Sequence, residues 1–141
     1  MSDTPATASR EPLALGLGCD RGTPAATIAR AIDEALAACG GCLADVRAVA
    51  TIDLKTDEAG LLQLAASHGW QLRFYPAVEL AAVDVPHPSE TVRKYTGTPS
   101  VSEAAALLAA GVGRRALLIE KHKAQGSDGR NATVSIARIA Q

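Results

Sequence analysis

The chain has 141 residues, of which 48% are apolar but only 3% aromatic, and its formal net charge is −1. That length suits one domain able to bury about two-thirds of its unfolded surface, with a core drawn from Ala, Leu, Val and Ile. The charge balance argues against a surface given over to nucleic acid or anionic membrane. The scarcity of rings argues against a stacking platform for single strands.

In chain order, residues 1–12 read as a polar, disordered leader without the basic-then-apolar layout of a signal peptide, and residues 13–141 as the single domain. Leu13 to Leu17 is the first strand. It breaks into Gly16-Leu17-Gly18-Cys19-Asp20-Arg21-Gly22-Thr23-Pro24. Pro24 suits the first helical position and Thr23 the N-cap before it. The helix places Ile28, Ala31, Ile32, Ala35, Leu36 and Cys39 on one stripe and stops at Gly40-Gly41. Val46 to Ile52 is a second strand, apolar enough to be covered on both faces.

Thr56 then caps a helix with Asp57 and Glu58 in its first turn, where negative charge is favoured. That helix turns Leu61, Leu64 and Ala65 inward and ends at Gly69. Trp70 to Tyr75 is a short third strand, and Pro76 opens one helical turn to about Ala82. Val83 to Pro99 shows little periodicity, as a functional loop does. Ser100 to Glu103 is a capping box for a helix burying Val101, Ala104, Ala105 and Leu108. Arg115 to Ile119 is a fourth strand. Ala124 to Arg130 is a loop, and Ala132 to Ile139 alternates as a fifth strand. The alternation predicts a three-layer α/β/α fold with a mixed, mostly parallel five-stranded sheet and an antiparallel last strand.

In such a sheet, ligands bind beyond the carboxyl ends of the strands. This topology brings Gly18, Cys19, Arg21, Gly22 and Thr23 there after strand one, Asp53 and Lys55 after strand two, and Lys121 and Lys123 after strand four. Arg130 and Asn131, at the start of the returning strand, reach the same edge. The proline-rich segment adds His87, Ser89, Arg93, Lys94 and Tyr95. Seven of the 14 Lys and Arg residues thus converge, which predicts a site for a polycarboxylate or polyphosphate. A solvated loop edge collects charge as well.

The glycine spacing G-x-G-x-x-x-G is neither a dinucleotide fingerprint nor a Walker loop, so no nucleotide cofactor is called for. The same glycines also suit a plain tight turn. Cys19 reads either as a nucleophile beside a helix N-terminus or as a small turn residue. Cys39-Gly-Gly-Cys42 has metal-ligand spacing, but one pair is half of a structural zinc set, so no metal is expected. Three cysteines without a disulfide pattern suit a reducing compartment, with the cytoplasm as default. No run reaches transmembrane length.

Several of these stretches, namely Gly18 to Gly22, Thr51 to Glu58, Pro88 to Gly97, Ser100 to Ala106 and Asn131 to Arg138, resemble in order the motifs of the CobE/CbiG C-terminal family of cobalamin biosynthesis. The resemblance spans Leu13 to Ile139. It implies a corrin-pathway protein whose ligand is a corrin or precorrin intermediate, with other pathway enzymes as partners. Arg21, Lys55, Arg93, Lys94, Lys121 and Lys123 are then carboxylate contacts, and Tyr95 a ring contact. Full-length CbiG opens a ring lactone of cobalt-precorrin-5A. The alternative to a carrier is therefore a hydrolase, with Asp53, Glu58 and His87 as acid/base candidates and the Gly18 to Gly22 amides as an anion hole.

Overall fold

The computed structural model describes residues 12–83, 101–111 and 116–139. Residues 1–11 of the expected leader, the loop candidates His87, Ser89, Arg93, Lys94 and Tyr95, and Ser100 of the capping box lie outside them.

The elements are β1 (Leu13–Cys19), α1 (Ala25–Cys39), β2 (Val46–Ile52), α2 (Ala59–His68), β3 (Leu72–Tyr75), α3 (Ala77–Ala81), α4 (Val101–Ala110), β4 (Leu117–Gln125) and β5 (Asn131–Arg138). They form one five-stranded sheet in the order β3-β2-β1-β5-β4. β1, β2 and β3 pair in parallel, whereas β5 is antiparallel to both β1 and β4. The expected mixed α/β sheet is therefore present.

Side-chain size divides the two faces. Leu13, Leu15 and Leu17 of β1 point to α1 and α2, with Val46, Val49, Val134 and Ile136 beside them. The alternate positions, Ala14 with Ala48, Ala50 and Ala137, point to the alanine-rich α4. Small residues on both sides let this helix approach the sheet closely. A Cβ built on Gly16 would lie 1.9 Å from the Ser102 carbonyl oxygen and 2.5 Å from the Ala106 nitrogen. Gly16 is therefore required by packing. At the same contact, Ser135 Oγ donates to the Glu120 carbonyl at 2.6 Å, so Ser102 Oγ supplies the proton of the 2.9 Å bond between the two hydroxyls.

Two sequence expectations are corrected. The fourth strand runs to Gln125, so Lys121 and Lys123 lie within it, not in a loop beyond it. Their charge reads as loop because β4 is an edge strand, where lysines are common. As the hairpin-length link predicts, β4 pairs with β5 in antiparallel fashion. Secondly, neither threonine caps its helix. Pro24 is the N-cap of α1, and Glu58 that of α2. A 3-10 turn over Asp53–Lys55 delays the second helix beyond Thr56.

Candidate functional site

Where β1 ends, the chain enters a loop tied on three sides. The Asp20 N–H donates to the Asn131 carbonyl at 3.0 Å. The Asp20 carboxylate accepts from the Asn131 backbone N–H at 2.8 Å and from its side-chain amide at 3.1 Å. This couples the end of β1 to the start of β5. Thr23 is buried because its hydroxyl donates to the Asp20 carbonyl at 2.6 Å, closing the turn on itself instead of capping α1. Gly22 has φ +79°, a conformation only glycine adopts readily. Arg130 lies across that glycine and donates to the Arg21 carbonyl at 2.9 Å, while Asp128 holds it at 3.1 Å.

The third tie is Glu58, which the sequence offers only as a dipole partner or a catalytic acid. Its side chain is 4% exposed. One oxygen accepts from the Gly22 N–H at 3.0 Å, and the other from Arg21 Nη1 at 3.0 Å. Lys55 Nζ lies 3.8 Å from that second oxygen and donates to the Cys19 carbonyl at 2.6 Å. Arg21 reaches on to Asp57 at 2.9 Å. A buried carboxylate thus sits inside a ring of two cations and a backbone amide, the arrangement such a group requires. α2 reaches this position because Gly60 lies against the loop. A Cβ there would meet the Thr23 carbonyl at 2.2 Å.

Several expected roles change accordingly. The Asp20 and Gly22 amides donate to Asn131 and Glu58, so these members of the expected anion hole are occupied by the protein's own acceptors, and the Thr23 amide beside them donates to Asp20. Burial pushes the Cys19 thiol up to about 11 despite the nearby Lys55 charge, so it stays protonated at neutral pH and is not an activated nucleophile. The Arg21 guanidinium holds the Asp57 carboxyl below its ordinary range. Asp53 is exposed on the 3-10 turn after β2.

Lys123 pairs with Thr133, itself opposite Gly18, so it stands two strands, about 10 Å, from β1. Lys121 lines a shallow groove of about 500 Å³ beside Ala38, away from the crevice. The structure therefore gathers Arg21, Lys55, Glu58, Asp57 and Arg130, and leaves Lys121 and Lys123 outside. Arg130 is reached by the topology of the returning strand. The anchoring role of Glu58 carries no motif signal.

Among the described residues, no group of three or more His, Cys, Asp or Glu side chains converges as a metal site. Cys39 is half-buried on α1, and Cys42 is exposed. No helix among them is long and apolar enough to cross a membrane.

A family model described as cobalamin synthesis G C-terminus matches residues 13–137. The chain is 42% identical over 127 residues to a cobalt-precorrin-5A hydrolase of Priestia megaterium, covering 90% of this chain but 32% of that one. The chain thus spans about a third of the hydrolase. It is 41% identical over 109 residues to the CobE protein of a Sinorhizobium species, covering 76% of this chain and 70% of that one. The crystal structure of CobE, a protein from the cobalamin biosynthetic pathway, superposes with a TM-score of 0.74 at 32% identity over 92% of both chains. The cobalamin biosynthesis protein chiG from Agrobacterium tumefaciens gives 0.64 at 33% identity, over 92% of this chain and 99% of that one.

Proposed function

The chain belongs to the cobalamin synthesis G C-terminus family, and on that premise we propose that it binds a corrin-ring intermediate at the carboxyl edge of β1 and β2, as a carrier or accessory protein of the pathway. Corrin precursors carry acetate and propionate carboxylates around a large apolar macrocycle. Guanidinium and ammonium groups held at a fixed edge suit that charge pattern.

The observation that carries this reading is the position of Glu58. Its carboxylate holds Gly22, Arg21 and Lys55 in place and is shielded from solvent, so it serves as an anchor for cations and not as a proton shuttle. With Cys19 protonated and Asp53 out on an exposed turn, the described edge lacks a nucleophile, a base and an orienting group in one constellation. It retains two arginines: Arg21, 61% exposed and fixed by Glu58 and Asp57, and Arg130, 47% exposed and fixed by Asp128 and the Arg21 carbonyl. A preorganised cationic edge binds polycarboxylates at low ordering cost.

A second reading, hydrolysis of a precorrin lactone, is favoured by the 42% identity to the cobalt-precorrin-5A hydrolase. Asp53 would then position water. Titration of the purified protein with corrin intermediates, followed by absorbance at low and high salt, separates the two. Tight, salt-weakened binding with intact ligand supports the carrier. Release of a small aldehyde, abolished by Asp53→Asn, supports the enzyme. No binding to any intermediate refutes both.

A further inference from the structure

Arg21 stands between two carboxylates held very differently. Its Nη1 meets Glu58 at 3.0 Å, and that side chain is 4% exposed and also bonded to the Gly22 N–H. Its Nη2 meets Asp57 at 2.9 Å, and the Asp57 side chain is 73% exposed. The guanidinium itself is 61% exposed. One contact is a structural anchor. The other is an open ion pair of the kind that contributes little in water and is readily exchanged.

We propose that Asp57 is an internal competitor for the ligand's carboxylate: the ligand displaces Asp57 from Arg21 Nη2 while Glu58 keeps Nη1 anchored. The proposal rests on the corrin-binding reading and adds to it a residue that sets affinity and selectivity without itself attracting the ligand. Asp57 is tethered one residue from Glu58, so its effective concentration at Arg21 is of the order of millimolar or higher. A lone monocarboxylate below that concentration does not displace it. A ring bearing many carboxylates does, because contacts elsewhere on the edge offset the exchange. Asp57 thereby filters small metabolite acids from a polycarboxylate macrocycle.

The test is binding of two probes, cobyrinic acid as a corrin heptacarboxylate and benzenehexacarboxylate as a flat polyacid without a macrocycle. The proteins compared are the parent, Asp57→Asn, Arg21→Ala, the double variant, and Glu34→Gln as a surface control that pairs with His122 on β4. Asp57→Asn should bind both probes about two- to fivefold more tightly at low salt, the gain shrinking with added salt. The gain should vanish in the Arg21→Ala background and be absent in Glu34→Gln. An unchanged or weaker affinity in Asp57→Asn overturns the proposal, as does a gain that persists without Arg21. If no variant binds the corrin while the gain with benzenehexacarboxylate remains, the corrin reading falls and the displacement stands.

Discussion

Gly16→Ala should be among the most damaging single-methyl changes in this chain, and Gly18→Ala, two residues along the same strand, should be nearly silent. At position 16 the added carbon would lie 1.9 Å from the Ser102 oxygen, 2.5 Å from the Ala106 nitrogen and 2.9 Å from the Ser102 carbonyl carbon, all backbone atoms of α4. An ordinary carbon–oxygen contact needs about 3.3 Å, so β1 and α4 must separate by more than 1 Å, and a gap of that size forfeits about half or more of each dispersion contact. α4 buries Ser102, Glu103, Ala104, Ala105, Ala106, Leu107, Ala109 and Ala110, so the loss is shared across the whole interface. We expect a cost of about 3 kcal/mol or more, at the upper end for overpacked cores, against a total stability of about 5–15 kcal/mol. At position 18 the nearest atom to the new carbon is the Thr133 Cβ at 4.0 Å, an ordinary contact, and the expected change is within about 0.5 kcal/mol. Urea denaturation followed by far-UV circular dichroism measures both. With a slope of about 1–3 kcal/mol per molar, Gly16→Ala should lower the midpoint by about 1 M or more. Equal midpoints for the two variants would refute the close approach of α4 to β1.

Glu58→Ala should destabilise by about 3 kcal/mol, because it empties a buried site and strips the acceptor from the part-buried Gly22 amide and the counter-charge from Lys55. Glu58→Gln should cost about half as much by retaining an acceptor for the Gly22 N–H; equal costs would mean that this amide bond matters little. Cys19 makes a pH prediction with a definite sign. Its pKa is raised from 9.0 to about 11 in the fold, so between those values the unfolded chain has lost the proton and the native one retains it. The stabilisation is complete below pH 9 and is lost as pH rises toward 11. Denaturation midpoints at pH 8 and pH 10.5 should therefore diverge more for the parent than for Cys19→Ser, and parallel declines would contradict the burial of this thiol.

Periodicity revealed the strands and helices that lie in the middle of the fold, because buried faces impose it. The stripe from Ile28 to Leu36 and the apolar run of β2 are examples, and the hairpin-length link before β5 predicted the antiparallel end. The sequence pattern ends the fourth strand at Ile119 because Glu120 to Lys123 lack the alternation that marks a strand, whereas β4 continues to Gln125. The glycines show a different limit. Gly16, Gly18 and Gly22 look alike in sequence, yet one is demanded by a neighbouring helix, one has room for a methyl group and one adopts positive φ. The meeting of Arg21 with Arg130 and of Asp20 with Asn131 was legible from topology, whereas the placing of Lys121 and Lys123 at that edge was not borne out. That Glu58 fills the loop's centre was not legible, because nothing local distinguishes a carboxylate pointing into a loop from one favoured at a helix start. Helix-cap rules likewise misplaced Thr23, whose hydroxyl serves the Asp20 carbonyl.

The strand order has a consequence for synthesis. β5, the last of the five described strands along the chain, lies between β1, the first of them, and β4. A nascent chain therefore carries β1 with one edge open until residues 131–138 leave the exit tunnel, however early its other neighbours form. Such long-range pairing is slow and exposes apolar surface to passing chaperones and to other copies of the chain. A stop codon before Asn131 leaves no smaller native domain. It yields a three-stranded remnant whose open β1 edge is a template for aggregation, and a β4 with nothing to pair against.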